Sequence, residues 1–389
     1  MSDDGMVPNP DDSSTKLKQK LAIAVSVFVF SYWFWRFWLV PSGRLDLEIL
    51  LQAVHRLWEG QSQYQLSDHA EHTKPPAVAW LLQPLALVPT WVSRAIWDAL
   101  SWGSLVWLAR LAGVGVTVGV GGWLLAAGPW WSEMRLGQYN LLLAALSLGL
   151  ATFEAASPGR IRSVLLGVGC VFVFLMKPTQ ILLWPFMISQ ALYDRRRMGW
   201  IGLGALGFLF VLAAGFSVQF GWDAWVAEHL EWLTFLPLSQ QKHLIRIDNY
   251  GLVTQWVRYG ALGHASVLIL ILGFVGAILS VFRSRALELR SFSTCLLLSI
   301  ICSPMAWRQN FAPLFLVLSW SVMREGGGLT LQRAGFWIVT LAFSLLASDV
   351  LGAQGAEAFG RAGGPLWLAI GAWALSARIA PTRTQQGET

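Results

Sequence analysis

The chain has 389 residues, of which 55% are hydrophobic and only 13% charged, with 23 Trp and 37 Gly. An ordinary soluble domain is about one quarter charged, so this composition excludes one and points to lipid. The net charge of +6 is dispersed over short loops, which argues against a nucleic-acid partner. Cys170, Cys295 and Cys302 all sit in apolar runs and offer neither a disulfide framework nor a metal knuckle.

In chain order, residues 1–20 are polar with opposed charges and read as a disordered cytoplasmic N-terminus. Leu21–Val40 is too long and aromatic for a signal peptide and reads as an uncleaved first span. Pro41–Pro75 is the first outer loop. Within it, Asp46–Glu59 reads as an amphipathic helix lying flat on the membrane interface. Leu47, Leu50, Leu51, Val54, Leu57 and Trp58 share one face, and Glu48, Gln52, His55, Arg56 and Glu59 share the other. Pro76–Pro89, short and proline-bounded, reads as a second juxtamembrane or re-entrant helix, which extends the outer region over 41–92.

Further spans are expected at Trp91–Arg110, Val114–Trp131 and Leu141–Ala156, with the Gly137-Gln138-Tyr139-Asn140 turn outside. Basic loops at Lys16–Lys20, Arg160/Arg162, Arg195–Arg197, Arg283–Arg290, Arg324/Arg333 and Arg378/Arg383 set the cytoplasmic side. Their spacing gives about twelve transmembrane helices in one domain over 21–378 and a cytoplasmic tail at 379–389. Both termini are then cytoplasmic, and 221–250 is a later outer loop. The fold class expected is an all-α integral membrane protein.

The chemistry gathers on the outer side. Asp46, at the start of its helix, reads either as an N-cap or as a general base at headgroup depth. Outer cations stand at Lys74, Arg135, Lys177, Lys242/Arg246 and Arg308, where they either snorkel or surround a departing phosphate. Lys177 is the most informative, because it interrupts an apolar stretch where a charge is expensive. His69 and His72 are spaced by three, but no third metal ligand is evident. Trp222, Trp225 and Trp232 read as interface anchors or as sugar-stacking platforms.

These residues form an ordered set. Asp46, Gly60-Gln61-Ser62-Gln63-Tyr64, Lys74-Pro75-Pro76 and Leu81–Pro89 are followed by Gly137–Leu142, Lys177-Pro178-Thr179, Arg195–Arg197, Asp248–Leu252 and Ser303–Trp307. The set resembles glycosyltransferase family 87, the polyprenyl-phosphate-mannose-dependent mannosyltransferases of the GT-C fold. The resemblance implies a GT-C-type polytopic bundle and an inverting enzyme without a metal or other cofactor. Its donor would be a polyprenyl-phosphate sugar, mannose-like, with the tail in a groove between helices. Its acceptor would be a lipid or glycan hydroxyl at the outer, periplasmic face of a bacterial inner membrane.

On that resemblance Asp46 is the base. Lys74, Arg135, Lys177 and Arg308 would bind the donor phosphate. Gln138, Asn140, His243, Arg246, Asp248, Asn249 and Trp307 would bind substrate. Two positions depart from the family pattern. Lys74 replaces the usual Tyr before Pro-Pro and is similar to the lipid A aminoarabinose transferases. Arg308-Gln309-Asn310 replaces the usual acidic residue and histidines. Another GT-C enzyme, such as an aminoarabinose-type transferase or a ligase, and a multi-pass transporter are the alternative readings.

Overall fold

A computed structural model describes residues 45–64, 72–244, 246, 249–258, 265–284, 287–325, 330–345 and 348–379, with isolated positions between 20 and 31. The expected N-terminal segment and most of the first span, together with the cytoplasmic tail, lie outside these residues. Among the described residues the fold is entirely helical, with no strand.

The first outer region supplies α1 (Leu45–Trp58) and α2 (Pro76–Ala86). Next come α3 (Thr90–Leu111), α4 (Val116–Leu125), α5 (Ala127–Leu136), α6 (Asn140–Ala156) and α7 (Arg160–Met176). A 3-10 turn at Pro178–Leu183 leads to α8 (Trp184–Ile188), α9 (Arg195–Phe220) and α10 (Trp222–Leu244). The rest is α11 (Leu252–Arg258), α12 (Ala265–Ser284), α13 (Leu289–Ile301), a 3-10 turn at Arg308–Phe311, α14 (Ala312–Arg324), α15 (Leu331–Leu345), α16 (Ser348–Arg361) and α17 (Gly364–Arg378).

By length and composition α9 can cross a membrane as one helix, and among the described residues it is the one that does so unbroken. Two bent pairs could each form a broken span or a re-entrant loop: α2 with α3, at 113°, and α5 with α6, at 108°. Val116–Leu125, Val267–Arg283, Leu289–Ile301 and Leu331–Leu345 are shorter apolar helices. Many apolar stretches are therefore interrupted, and the expected span Val114–Trp131 breaks at Ala126 into α4 and α5.

Sequence explains both bends. Pro75 and Pro76 pre-set the backbone for the start of α2, since proline at the first helical position gives up no needed N–H. Pro89, with φ −54° and ψ 142°, is extended at the head of α3 and turns the chain, while Ser93 Oγ donates to the Leu85 carbonyl at 2.6 Å across the corner. At the second bend Gly137 takes φ +71°, the left-handed conformation that ends a helix cheaply only in glycine. The corner is tied by Gln138 N–H to the Glu133 carbonyl (3.0 Å), by Leu141 N–H to Glu133 Oε1 (2.7 Å) and by Trp97 Nε1–H to the Gly137 carbonyl (2.8 Å).

The amphipathic pattern of α1 is real, but its apolar face meets protein. Leu47, Leu50 and Leu51 pack with Ala77, Val78, Trp97, Tyr139 and Leu143, while Val54 and Leu57 pack with Ala79 and Phe216. The expected helix lying on lipid is instead seated on α2 and its neighbours, because that side of the bundle offers the same apolar surface in a fixed position.

Close helix contacts rely on missing side chains. A Cβ on Gly167 of α7 would fall 2.0 Å from the Ile201 carbonyl of α9, and one on Gly204 would fall 2.1 Å from the Val164 carbonyl. These two glycines let the backbones of α7 and α9 touch. In the glycine-rich 113–122 stretch, Gly121 and Gly122 play this part against Met323 and Trp320 of α14. At the starts of α7 and α9, buried Glu154 of α6 accepts from Arg197 Nε at 2.8 Å and from Ser163 Oγ at 3.1 Å. Asp194 caps α9 through the N–H groups of Arg196 and Arg197.

Candidate active site

A cavity of about 410 Å³ opens between the first outer region and the ends of α7, α10, α12 and α13. Asp46, His72, Lys74, Gln138, Lys177 and Trp307 supply much of its polar lining, and Ile49, Leu50, Phe174, Ile181, Leu236, Val267 and Leu270 make an apolar side.

Each polar residue is delivered by a local feature. Asp46 falls in the first turn of α1, where the helix dipole favours a carboxylate. Lys74 precedes Pro75-Pro76, and a residue before proline is held extended, outside any helix. That stretch is fixed from two sides: Tyr64 OH donates to the Lys74 carbonyl at 2.8 Å, and Trp232 Nε1–H donates to the Thr73 carbonyl at 3.1 Å. Ser62 and Gln63 in turn donate to Glu231 and Glu228, which ties the end of the first loop to α10.

Lys177 stands just past the last turn of α7, extended at φ −153°, with Pro178 beginning the next turn. Its Nζ donates to Asn140 Oδ1 at 2.9 Å. Asn140 Nδ2 lies 3.5 Å from Asn310 Oδ1, and Asn310 Nδ2 donates to the Met305 carbonyl at 2.9 Å. Tyr139 OH donates to the Met176 carbonyl at 3.0 Å, and Lys74 Nζ sits 5.7 Å from the Tyr139 ring centroid. Lys74, beside the Tyr139 ring, and Lys177, bonded to Asn140, thus reach one cavity.

Burial raises the Asp46 carboxyl to about 6, and the ammonium groups of Lys74 and Lys177 pull it back only in part. A carboxyl that titrates near neutrality beside two cations suits a group that must accept a proton.

Several expected site residues lie elsewhere. Arg135 is exposed and does not line the cavity. Arg308 does not line it either: its guanidinium donates to the Ser344 carbonyl, and the absence of a side chain on Gly128 makes room for it there. Of the four cations expected at the donor phosphate, the cavity therefore brings together Lys74 and Lys177 and leaves out Arg135 and Arg308.

Asn249 is fully buried and spent on backbone, donating to the Pro304 carbonyl at 2.6 Å and accepting from Ala306 N–H at 2.9 Å. It shapes the Ser303–Trp307 edge instead of facing the cavity. Arg246 stacks over Trp307, with 5.3 Å from guanidinium carbon to ring centroid. The side chain of His243, the whole of Asp248 and His69 lie outside the described residues. Of the three tryptophans in α10, Trp225 packs on Phe216 and Trp232 holds Thr73, while Trp222 is largely exposed.

Residues 72–304 match the model of glycosyltransferase family 87, and the chain belongs to that family. No curated protein and no solved structure matches the chain. Family and helical, apolar architecture together make it a membrane glycosyltransferase. The matched stretch begins at His72, so α1 with Asp46 lies before it and Trp307 to Asn310 lie after it.

Proposed function

We propose that the protein transfers a mannose-like sugar from a polyprenyl-phosphate donor to an acceptor hydroxyl, with inversion, and that Asp46 is the general base. The observation that carries this reading is one cavity lined, among the described residues, by a single carboxylate and two lysines, with an apolar side suited to a lipid.

In this mechanism the Asp46 carboxylate takes the proton of the acceptor hydroxyl as its oxygen attacks C1 of the donor sugar. The bond from C1 to the phosphate oxygen breaks on the opposite face, so the configuration inverts. Lys74 and Lys177 hold the departing lipid phosphate, where negative charge grows. Asn140 keeps Lys177 turned toward the cavity, and Gln138 and Trp307 contact the substrates. The two ammonium groups disfavour a cationic amino sugar as cargo, which weighs against an aminoarabinose-type reaction.

The wider arrangement proposed is a GT-C bundle of about twelve spans with the cavity at the outer face of a bacterial inner membrane and both termini inside. The broken helices at both bends suit this, since irregular backbone at membrane depth is tolerated where it lines a cavity.

The test is Asp46→Asn, assayed as transfer of labelled mannose from polyprenyl-phosphate mannose to endogenous acceptors in membranes. Asparagine keeps the size and removes the basicity, so turnover should fall by about two to four orders of magnitude. Near-normal transfer by the variant would end the assignment.

A further inference from the structure

His72 has a property that the mechanism above does not use. The residue is 3% exposed, it lines the cavity with Asp46 and Lys74, and among the described residues neither ring nitrogen has a hydrogen-bond partner of normal geometry. A buried imidazole in this condition is under-satisfied until something entering the cavity completes it.

The ring is held in place. It packs against Tyr64 at 5.7 Å between centroids with the planes tilted by 34°, and Tyr64 is itself anchored on the Lys74 carbonyl. The ring is also kept neutral. Burial first, then the charges of Lys74 and Arg56, hold its protonation down to about 3, against a smaller opposing pull from the Lys74 backbone.

A neutral imidazole offers one donor and one acceptor. That pair is a poor match for a phosphate, which only accepts, and a good match for a hydroxyl, which does both. The position narrows the choice further. His72 lies two residues from Lys74, which the mechanism assigns to the phosphate. The hydroxyl-bearing group nearest a bound sugar phosphate is the sugar itself, joined to phosphorus through one oxygen.

We propose that His72 is a specificity-determining contact to the donor sugar, its ring exchanging hydrogen bonds with sugar hydroxyls beside Lys74. The inference rests on the lipid-phosphate-sugar reading above and adds which side chain reads the sugar.

The experiment measures binding of farnesyl-phosphate mannose and of farnesyl phosphate to the purified full-length protein in lipid nanodiscs. His72→Phe keeps a ring that can pack on Tyr64 but removes both polar atoms. Wild type should bind the mannose-bearing lipid more tightly than the bare lipid phosphate. His72→Phe should lose about ten- to a hundredfold for the former, as expected for one or two lost hydrogen bonds, and change little for the latter. His72→Asn, which restores a neutral donor and acceptor, should recover part of the preference. Monodeoxy mannose analogues sharpen the result: wild type discriminates against at least one of them, and His72→Phe does not.

A packing role alone would move both ligands together and would leave the deoxy discrimination intact, which overturns the proposal. So does a wild-type protein that gains nothing from the mannose. Failure of the underlying reading looks different: farnesyl phosphate itself would not bind, Lys74 and Lys177 substitutions would change nothing, and the inference would fall with it.

Discussion

The Lys177 ammonium donates to Asn140 Oδ1 at 2.9 Å, so the cation at the end of α7 is aimed by the first residue of α6. Lys177→Met should weaken binding of farnesyl phosphate by about ten- to a hundredfold, the scale of one charge-assisted contact. Asn140→Leu removes the aim but leaves the charge, so a loss of only several-fold is expected. Asn140→Asp would pair the lysine internally and should resemble Lys177→Met. Isothermal titration of the three variants checks the order.

With Asp46 as the proposed base, its raised carboxyl predicts a pH dependence for the reaction. A base works only when ionised, and burial keeps this carboxyl protonated up to about 6. Below that value kcat/KM should fall about tenfold per pH unit, and above it the profile should level off. The sign follows from the direction of the shift. An Asp with an unperturbed carboxyl would move the break down to about 4, and a break there would mean that the cavity does not shield Asp46 in the working enzyme.

Glycine placement predicts where the bundle resists substitution. Gly167→Ala would place a Cβ 2.0 Å from the Ile201 carbonyl, and backbone cannot swing away as a side chain can. We expect a loss of about 1–3 kcal/mol. Gly202→Ala, on α9 with nothing within 4 Å of its Cβ, is the control and should be neutral or slightly stabilising. Thermal unfolding in detergent compares the two.

Near the start of α9, Glu154→Ala on α6 strips half-buried Arg197 of its carboxylate partner; the glutamate side chain is 1% exposed and that of the arginine 18%. Breaking such a pair from one side costs about 3 kcal/mol, so the melting temperature should drop clearly. Donor affinity should hold in the fraction that remains folded, because neither residue lines the cavity.

Membrane sidedness can be read with single cysteines. Ser157 and Arg135 are both exposed, whereas Gly137 is buried and left-handed, a poor place for a probe. Cysteine at 157 should react with an impermeant reagent only from the cytoplasmic side, and cysteine at 135 only from outside. Labelling of position 135 from the cytoplasm would invert the whole threading.

Local chemistry was legible in the sequence wherever a neighbouring residue enforced it. The face of α1, the proline-bounded α2, the turn at Gly137 and the exceptional position of Lys177 are all properties of a few consecutive residues. What the sequence hid depends on partners far along the chain. Arg308 looks like an outer cation until α15 supplies the Ser344 carbonyl. Asn249 looks like a substrate contact until the Ser303–Trp307 edge takes up its amide. The apolar side of α1 looks lipid-facing until Phe216 of α9 is brought against it. His72 reads in the sequence as half of a pair with His69, since nothing nearby in sequence announces a cavity.

The tie from Trp232 to Thr73 spans 159 residues, and it bears on when the protein becomes competent. During synthesis the segment from His72 to Pro76 emerges long before the helix that will pin it. A tether of that length closes late, because its loop entropy must be overcome after the intervening helices have paired. The His72–Pro76 edge of the cavity is therefore expected to set late, once α10 has been made. A chain that ends before α10 already holds Lys74 and Lys177 but lacks the helix that pins their edge of the cavity.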